Sequence, residues 1–274
     1  MRIVRHRLEA DDGEFVDWKP TPNVSSGSIT PRYLVMHYTA GSSFRSSVSW
    51  LTNPDAKASA HVVIGRGGEI VQLARFDQKA WHAGRSRWRG LVGLNAHSIG
   101  IELDNAGPLI EEAGGATWRA TFGGRYGAEE VVAAEHKHGS DYEFWHRYTD
   151  IQLETARMVA SLIAAKYALL DVIGHEDIAP GRKLDPGPAF PMTAFRGRVL
   201  GREDDALPRG RTVAELNIRS GPGTAFGTVA PALAPKTNLL IRSEAGSWLA
   251  VDVLDAKGAP TLSGWVHGDY VEVS

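Results

Sequence analysis

The sequence contains no cysteine among its 274 residues. That excludes a disulfide framework and any thiolate metal site, leaving His, Asp and Glu as the good ligands for a transition metal. Charge of one sign is also lacking: 30 Lys and Arg against 32 Asp and Glu leave a formal net charge of −2. No basic stripe of the kind that binds nucleic acid is present. Long apolar runs are missing as well, so no segment reads as a membrane span, and the N-terminal MRIVRHRLEADDGEFVDWKP has no signal-peptide core. Export, where it occurs, is expected to use another route. With 43% apolar residues, the chain has the composition of a globular protein long enough for two domains.

What is present concentrates in Val172 to Phe190, VIGHEDIAPGRKLDPGPAF, which holds His175, Lys183 and Asp185. Its prolines and glycines rule out a continuous helix or a central strand, so it is a shaped loop, fed by the apolar run Leu169 to Ile173. An imidazole and a carboxylate are zinc-compatible ligands, and a catalytic site would need a third ligand and an open position for water. Tyr33 to Tyr38, YLVMHY, reads as a strand buried on both faces, with His37 near its end. A histidine there stands where ligands stand, although a core histidine bonded to a backbone carbonyl is the commoner use of a lone one.

Around these lie further elements. Residues 1–31 form a lead-in expected to pack over the domain, and Phe44 to Leu51 form a helical turn or two. Ala60 to Leu73, AHVVIGRGGEIVQL, is a hairpin broken at Gly65 to Gly68, and WHAGRS follows in a loop. Ser98 to Leu103 is another strand, placing Glu102 near its end, either as a general base or as a solvent-exposed carboxylate. Residues 106–149 show no periodicity and are expected to be a substrate wall without clear elements. Thr149 or Asp150 caps a helix reaching Tyr167. Strands, helix and loop together give a mixed α/β domain, a central sheet with flanking helices, over 32–200.

The series YLVMHYTAG, SAHVVIGRGGEIVQL, WHAGRS, HSIGIELDNAG and GHEDIAPGRKLDPGPAF resembles the zinc-dependent N-acetylmuramoyl-L-alanine amidases of type 2, related to peptidoglycan recognition proteins, and most closely the anhydro-muropeptide amidase branch. The resemblance implies one Zn²⁺ held by His37, His175 and Asp185, with Glu102 and Lys183 serving catalysis. Some members carry a catalytic tyrosine where this chain has Ala60, which favours the Glu102 branch and leaves the role of His61 open. In chemical terms, two imidazoles and a carboxylate leave a fourth position on zinc for water, Glu102 takes and returns its proton, and Lys183 faces the developing oxyanion. His61, His82 and Trp81 are candidate substrate-binding residues, with structural roles an equal alternative for the histidines. His97, His136, His138, His146 and His267 are expected at the surface or in loops, and the spacing of His136 and His138 is weak evidence for a second metal. Trp88 and Trp118 are further candidate sugar faces.

Residues 201–211, GREDDALPRGR, read as a linker. In 212–274 short strands separated by turns suggest a small all-β barrel, and LNIRSGPGTAFGTV, GSWLAVDV and GWVHGDYV resemble the bacterial SH3-like domain that accompanies cell-wall hydrolases. The resemblance implies a wall-binding module, with Trp248, Trp265 and Tyr270 as possible contacts. The expected protein is therefore a two-domain amidase hydrolysing the bond between N-acetylmuramic acid and L-alanine in peptidoglycan or anhydro-muropeptides, acting outside the cytoplasm (periplasm or cell wall). The alternatives are a cytoplasmic enzyme, a non-catalytic recognition protein and a zinc peptidase cutting within stem peptides.

Overall fold

A computed structural model describes residues 1–201, 208–258 and 260–273; most of the expected linker, 202–207, lies outside the described residues. The chain divides into two compact units, 1–200 and 201–274. Among the described residues no helix is long and apolar enough to cross a membrane.

In the first unit the principal strands are β1 (Asp17–Trp18), β2 (Tyr33–Tyr38), β3 (Val62–Ile64), β4 (Ile70–Gln72) and β5 (Ser98–Leu103), then β6 (Pro108–Glu111), β7 (Trp118–Ala120), β8 (Arg125–Tyr126), β9 (Val131–Ala133), β10 (Phe144–His146) and β11 (Asp171–Gly174). Its helices are α1 (Phe44–Leu51), α2 (Asp150–Tyr167), the short α3 (His175–Ile178) and α4 (Met192–Leu200). The central sheet has six strands in the order β11-β2-β5-β3-β4-β1. From β11 to β3 the neighbours are parallel; the β3–β4 hairpin is antiparallel.

Alternation along β2 decides the layers. Leu34 and Met36 join the main core, where Ala156, Val159, Ala160 and Ile163 of α2 and Phe195 and Val199 of α4 cover one face of the sheet. Tyr33 and Val35 face the other way and pack with Ala83, Leu94, Ile173 and Ile178. On that second face α1 covers β3 and β4 through Val48 and Leu51. Helix α2 starts where the Thr149 hydroxyl accepts from the backbone N–H of Gln152 at 3.2 Å, and Gln152 in turn donates to the carbonyls of Ile64 and Asp104 at the ends of β3 and β5. It stops at Ala168, which is left-handed at φ 50°.

Two stretches of the first unit depart from the sequence reading. The first 31 residues are woven into the fold: Leu8 is fully buried in the main core, its N–H donates to Gln72, and β1 extends the central sheet at its edge. A two-residue strand and an isolated apolar residue are too short to show a period. Residues 106–149 are also structured. They form a second antiparallel sheet, β8-β7-β6-β10-β9, closed over Ala106, Leu109, Trp118, Ala120 and Val131. This insertion leads from β5 into α2.

The second unit is a five-stranded antiparallel sheet, built from β12 (Arg209–Thr212), β13 (Asn238–Ala245), β14 (Trp248–Leu254), β15 (Pro260–His267) and β16 (Val271–Val273) in the order β15-β14-β13-β12-β16. Leu216, Ile218, Leu239, Ile241, Leu249, Val251 and Val266 form its core.

The α2 face makes a direct prediction. Ile163→Ala removes a fully buried side chain and should cost about 2–5 kcal/mol in urea denaturation, whereas Ile151→Ala, on the exposed side of the same helix, should stay within about 0.5 kcal/mol.

Candidate active site

Parallel register places three functional side chains in one row. Glu102 of β5 is the register partner of His37 of β2, and Gly174 of β11 pairs with Met36, so His175, the next residue, falls beside His37. All three stand at the C-terminal ends of parallel strands, where open α/β sheets present their sites. The loop after α3 then returns Asp185 to the same point. His37 Nδ1 lies 2.9 Å from His175 Nδ1, and Asp185 Oδ2 lies 2.8 Å from the former and 2.9 Å from the latter. The three side chains are buried, and the group could hold a metal ion.

The outer partners of the two imidazoles fix which nitrogens face inward. His175 Nε2 lies 3.2 Å from the carbonyl of Ala83, which can only accept, so the neutral ring carries its proton there and turns the Nδ1 lone pair to the cluster. His82 Nε2 approaches the carbonyl of Ser98 at 3.4 Å and its hydroxyl at 3.3 Å, and that hydroxyl donates to Leu94 O at 2.6 Å. His82 Nδ1 is thereby left to accept from His37 Nε2 at 3.1 Å, which turns the His37 Nδ1 lone pair inward as well. Two imidazole lone pairs and a carboxylate oxygen then face one another with no proton to share. Such a set repels itself and fits a divalent cation, with a neutral-imidazole and carboxylate donor chemistry suited to a transition metal.

Electrostatics supports neutral rings at His37, His61 and His82. Burial, reinforced by the charge of His175, lowers His37 to about 4. Burial lowers His61 to about 4 and His82 well below the usual histidine range. Burial would raise the Asp185 carboxyl, and it is held low only where the two imidazoles present protons to it; with both lone pairs turned inward, that role falls to a cation. Glu102 moves the other way: burial and the charge of Asp185 push it well above the carboxylate range, against the pull of Lys183. Its Oε2 is buried and has no protein partner, so it is free to engage a ligand proton. Lys183 is half-buried, and its ammonium bears electrostatically on both His37 and Glu102.

The other expected residues separate into groups. His82 is the partner of His37, given room by Gly100, where an added Cβ would come within 2.5 Å of the imidazole. His61 is one layer further out, accepting from Gly100 N–H at 3.0 Å and facing Gln78 O at 2.9 Å, so neither histidine lines open space. Trp81 is half-buried and donates through Nε1 to Ser25 at 2.9 Å. Trp118 is buried against Phe144 and offers no face to a sugar. In the second unit, Trp248 pairs across the sheet with His267, and Trp265 and His267 share the outward face opposite buried Val266. Tyr270 lies 5.9 Å from His267 and is 48% exposed.

Two histidines expected at the surface are interior. His146 is buried and accepts from Ala106 N–H, and burial followed by the charge of Arg66 lowers it to about 3. His136 is buried 2.7 Å from Glu176 Oε2. Between Glu176 and Asp177, near His136 and His138, sits the ammonium of Lys137, which fills the place a second metal would need. Glu176 was not singled out from the sequence; its position directly after His175 was the available signal.

With this geometry in view, comparison with known proteins is decisive. The family described as N-acetylmuramoyl-L-alanine amidase matches residues 27–188. The chain belongs to that family. AmiD of Escherichia coli, an N-acetylmuramoyl-L-alanine amidase, is 34% identical over 184 residues, covering 64% of this chain and 55% of AmiD. AmpD of Salmonella typhimurium, a 1,6-anhydro-N-acetylmuramyl-L-alanine amidase, is 37% identical over 145 residues, covering 52% of this chain and 58% of AmpD. The chain thus spans little more than half the length of these curated relatives. Among solved structures, E. coli AmiD in complex with anhydro-N-acetylmuramic acid-L-Ala-D-γ-Glu-L-Lys shares 30% identity and a TM-score of 0.46, covering 68% of this chain and 63% of that one.

Buried neutral histidines predict an acid-sensitive fold. The pKa of His61 is depressed, so its contribution to stability is complete above the unfolded value near 6.5 and is lost as pH falls towards 4, at about 1.4 kcal/mol per pH unit. Urea midpoints of the metal-free protein should fall between pH 7 and 4.5, and less steeply for His61→Gln; parallel slopes would contradict this assignment.

Proposed function

We propose that the first unit is a zinc-dependent amidase that hydrolyses the bond between N-acetylmuramic acid and L-alanine in peptidoglycan or its soluble anhydro-muropeptides. The observation carrying this reading is the convergence of His37 Nδ1, His175 Nδ1 and Asp185 Oδ2, with Glu102 in the same row, in a chain of this family. The relatives named for this chemistry, AmiD and AmpD, support the substrate class.

Two imidazoles and one carboxylate would hold the ion, which supplies Lewis acidity and a water nucleophilic near neutral pH when bound. Every other part falls to the protein. Glu102, its Oε2 unpaired, takes the proton of the attacking water and passes it to the leaving amine of L-alanine. The burial that raises this carboxyl brings it towards the range in which a base both accepts and returns a proton. Lys183 places a positive charge at the developing oxyanion, and its positive field on Glu102 keeps that carboxylate from rising further. His82 holds His37 in the tautomer that aims Nδ1 inward, a role in orientation rather than in contact with substrate.

The second unit we read as an SH3-like wall-binding module. Its five antiparallel strands and small apolar core support this, as does the outward grouping of Trp248 and Trp265 beside His267, with Tyr270 exposed nearby. Such a module raises the local concentration of wall substrate without adding contacts at the site, and it supports action outside the cytoplasm.

Digestion of sacculi and of soluble anhydro-muropeptides by zinc-restored protein, followed by mass spectrometry, should yield stem peptides beginning with L-alanine. Chelation should abolish the activity and zinc should restore it. Glu102→Gln should lower kcat by about 10²–10⁴-fold and Lys183→Ala by about 10²–10³-fold. Binding without cleavage would favour a recognition protein, and fragments retaining L-alanine on the sugar a peptidase.

Trp248→Ala combined with Tyr270→Ala should weaken co-sedimentation with sacculi while leaving turnover of soluble muropeptide unchanged. Equal co-sedimentation would remove the wall-binding role from this face.

A further inference from the structure

Asp185, which closes the ligand triad, lies on a loop with no regular secondary structure of its own, yet its carboxylate must hold its place within a few tenths of an ångström of two imidazoles. What holds it is Glu176 of α3 together with the insertion. Each of the residues 184–187 has a named partner. The carbonyl of Leu184 lies 3.3 Å from His136 Nε2, and that of Asp185 accepts from the N–H of Glu176 at 2.8 Å. The carbonyl of Pro186 accepts from the Tyr148 hydroxyl at 2.8 Å, and the N–H of Gly187 donates to Glu176 Oε2 at 3.3 Å. Gly187 also fits closely under Trp145, where an added Cβ would come within 3.0 Å of the indole.

Glu176 is the centre of this grip. It is only 3% exposed, directly follows the ligand His175, and its carboxylate is shared between His136 Nε2 at 2.7 Å and Lys137 Nζ at 2.8 Å. Lys137 continues to Asp177 Oδ1 at 2.6 Å, and Asp177 Oδ2 accepts from Gly174 N–H at 2.8 Å, at the end of β11. His136 is itself stacked on Trp145, with centroids 5.6 Å apart. A buried carboxylate left without its cation is strongly destabilising, so Glu176 belongs in this position only because the insertion brings Lys137 and His136 to it.

We propose that Glu176, held by His136 and Lys137, is a positioning residue for Asp185, so that the insertion sets the affinity of the triad for its cation. The proposal rests on the reading of His37, His175 and Asp185 as a metal centre. Outer partners of metal ligands typically carry about 10–100-fold in affinity. Glu176 would act at one remove, through the backbone of the ligand's own loop rather than by bonding the ligand's side chain.

The test is zinc affinity of the full chain, by competition with a chromophoric chelator, together with the absorption spectrum of the cobalt-substituted protein and the melting temperature of the metal-free form. Glu176→Gln, which keeps the shape and loses the charge, should bind zinc about 10–100-fold more weakly and alter the cobalt spectrum. Lys137→Met, which leaves the buried Glu176 carboxylate without its ammonium, should lower the metal-free melting temperature and, assayed well below that temperature, bind zinc several-fold more weakly with an altered cobalt spectrum. Glu176→Gln with His136→Gln should be no weaker than Glu176→Gln alone, because the two act as one unit. Wild-type affinity and spectrum in both single variants, with only their melting temperatures lowered, would overturn the proposal and leave the cluster a scaffold. If Glu176→Gln fails to fold, Lys137→Met decides. Failure of the wild-type chain to bind zinc would instead overturn the metal-centre reading.

Discussion

Three electron-rich atoms brought within 2.9 Å of one another in a buried place impose the central constraint on this molecule. Like-charged or lone-pair-bearing groups at such spacing repel, and little solvent is available to screen them. The fold holds them together by satisfying the outward side of each group: Ala83 O behind His175, His82 and Ser98 behind His37, and the backbone N–H of Glu176 on the carbonyl of Asp185. A cation of suitable size turns the same arrangement from repulsive to attractive. On this account metal binding and stability are coupled, as in any site whose ligands are assembled only in the folded chain.

The scaffold explains how sequence separation is overcome. His37 and His175 are 138 residues apart, yet adjacent parallel strands put them side by side, and the same register sets Glu102 on the far side of His37. Strand alternation then assigns one face to α2 and the apolar core and the other to chemistry. The histidines stacked behind the site, His82 and His61, are kept neutral by burial and need only the room that Gly100 leaves them.

Much of this was legible in the residues. YLVMHY is apolar at every position but His37 and buried on both faces, and Thr149 precedes an 18-residue helical period, so β2 and α2 could be read directly. His175 and Asp185 stand out as candidate ligands in a Pro/Gly-shaped loop and His37 as a histidine at a strand end, but the set of three rests on the resemblance of the motifs to the type 2 amidases. The insertion could not be read, because its strands are only two to four residues long, so no window shows a period. For the same reason His136 reads as a loop residue: Lys137, His138 and Gly139 follow it, and its burial comes from contacts with Trp145 and with Glu176, 40 residues away in sequence, which leave no local trace.

The claim that everything turns on is a single cation at one defined point. X-ray diffraction from crystals of the zinc-loaded chain, with anomalous data collected on either side of the zinc edge, tests it directly. The account predicts one strong anomalous peak in the first unit, bonded to Nδ1 of His37, Nδ1 of His175 and a carboxylate oxygen of Asp185. A peak elsewhere, or coordination through the Nε2 atoms that Ala83 and His82 engage here, would contradict it.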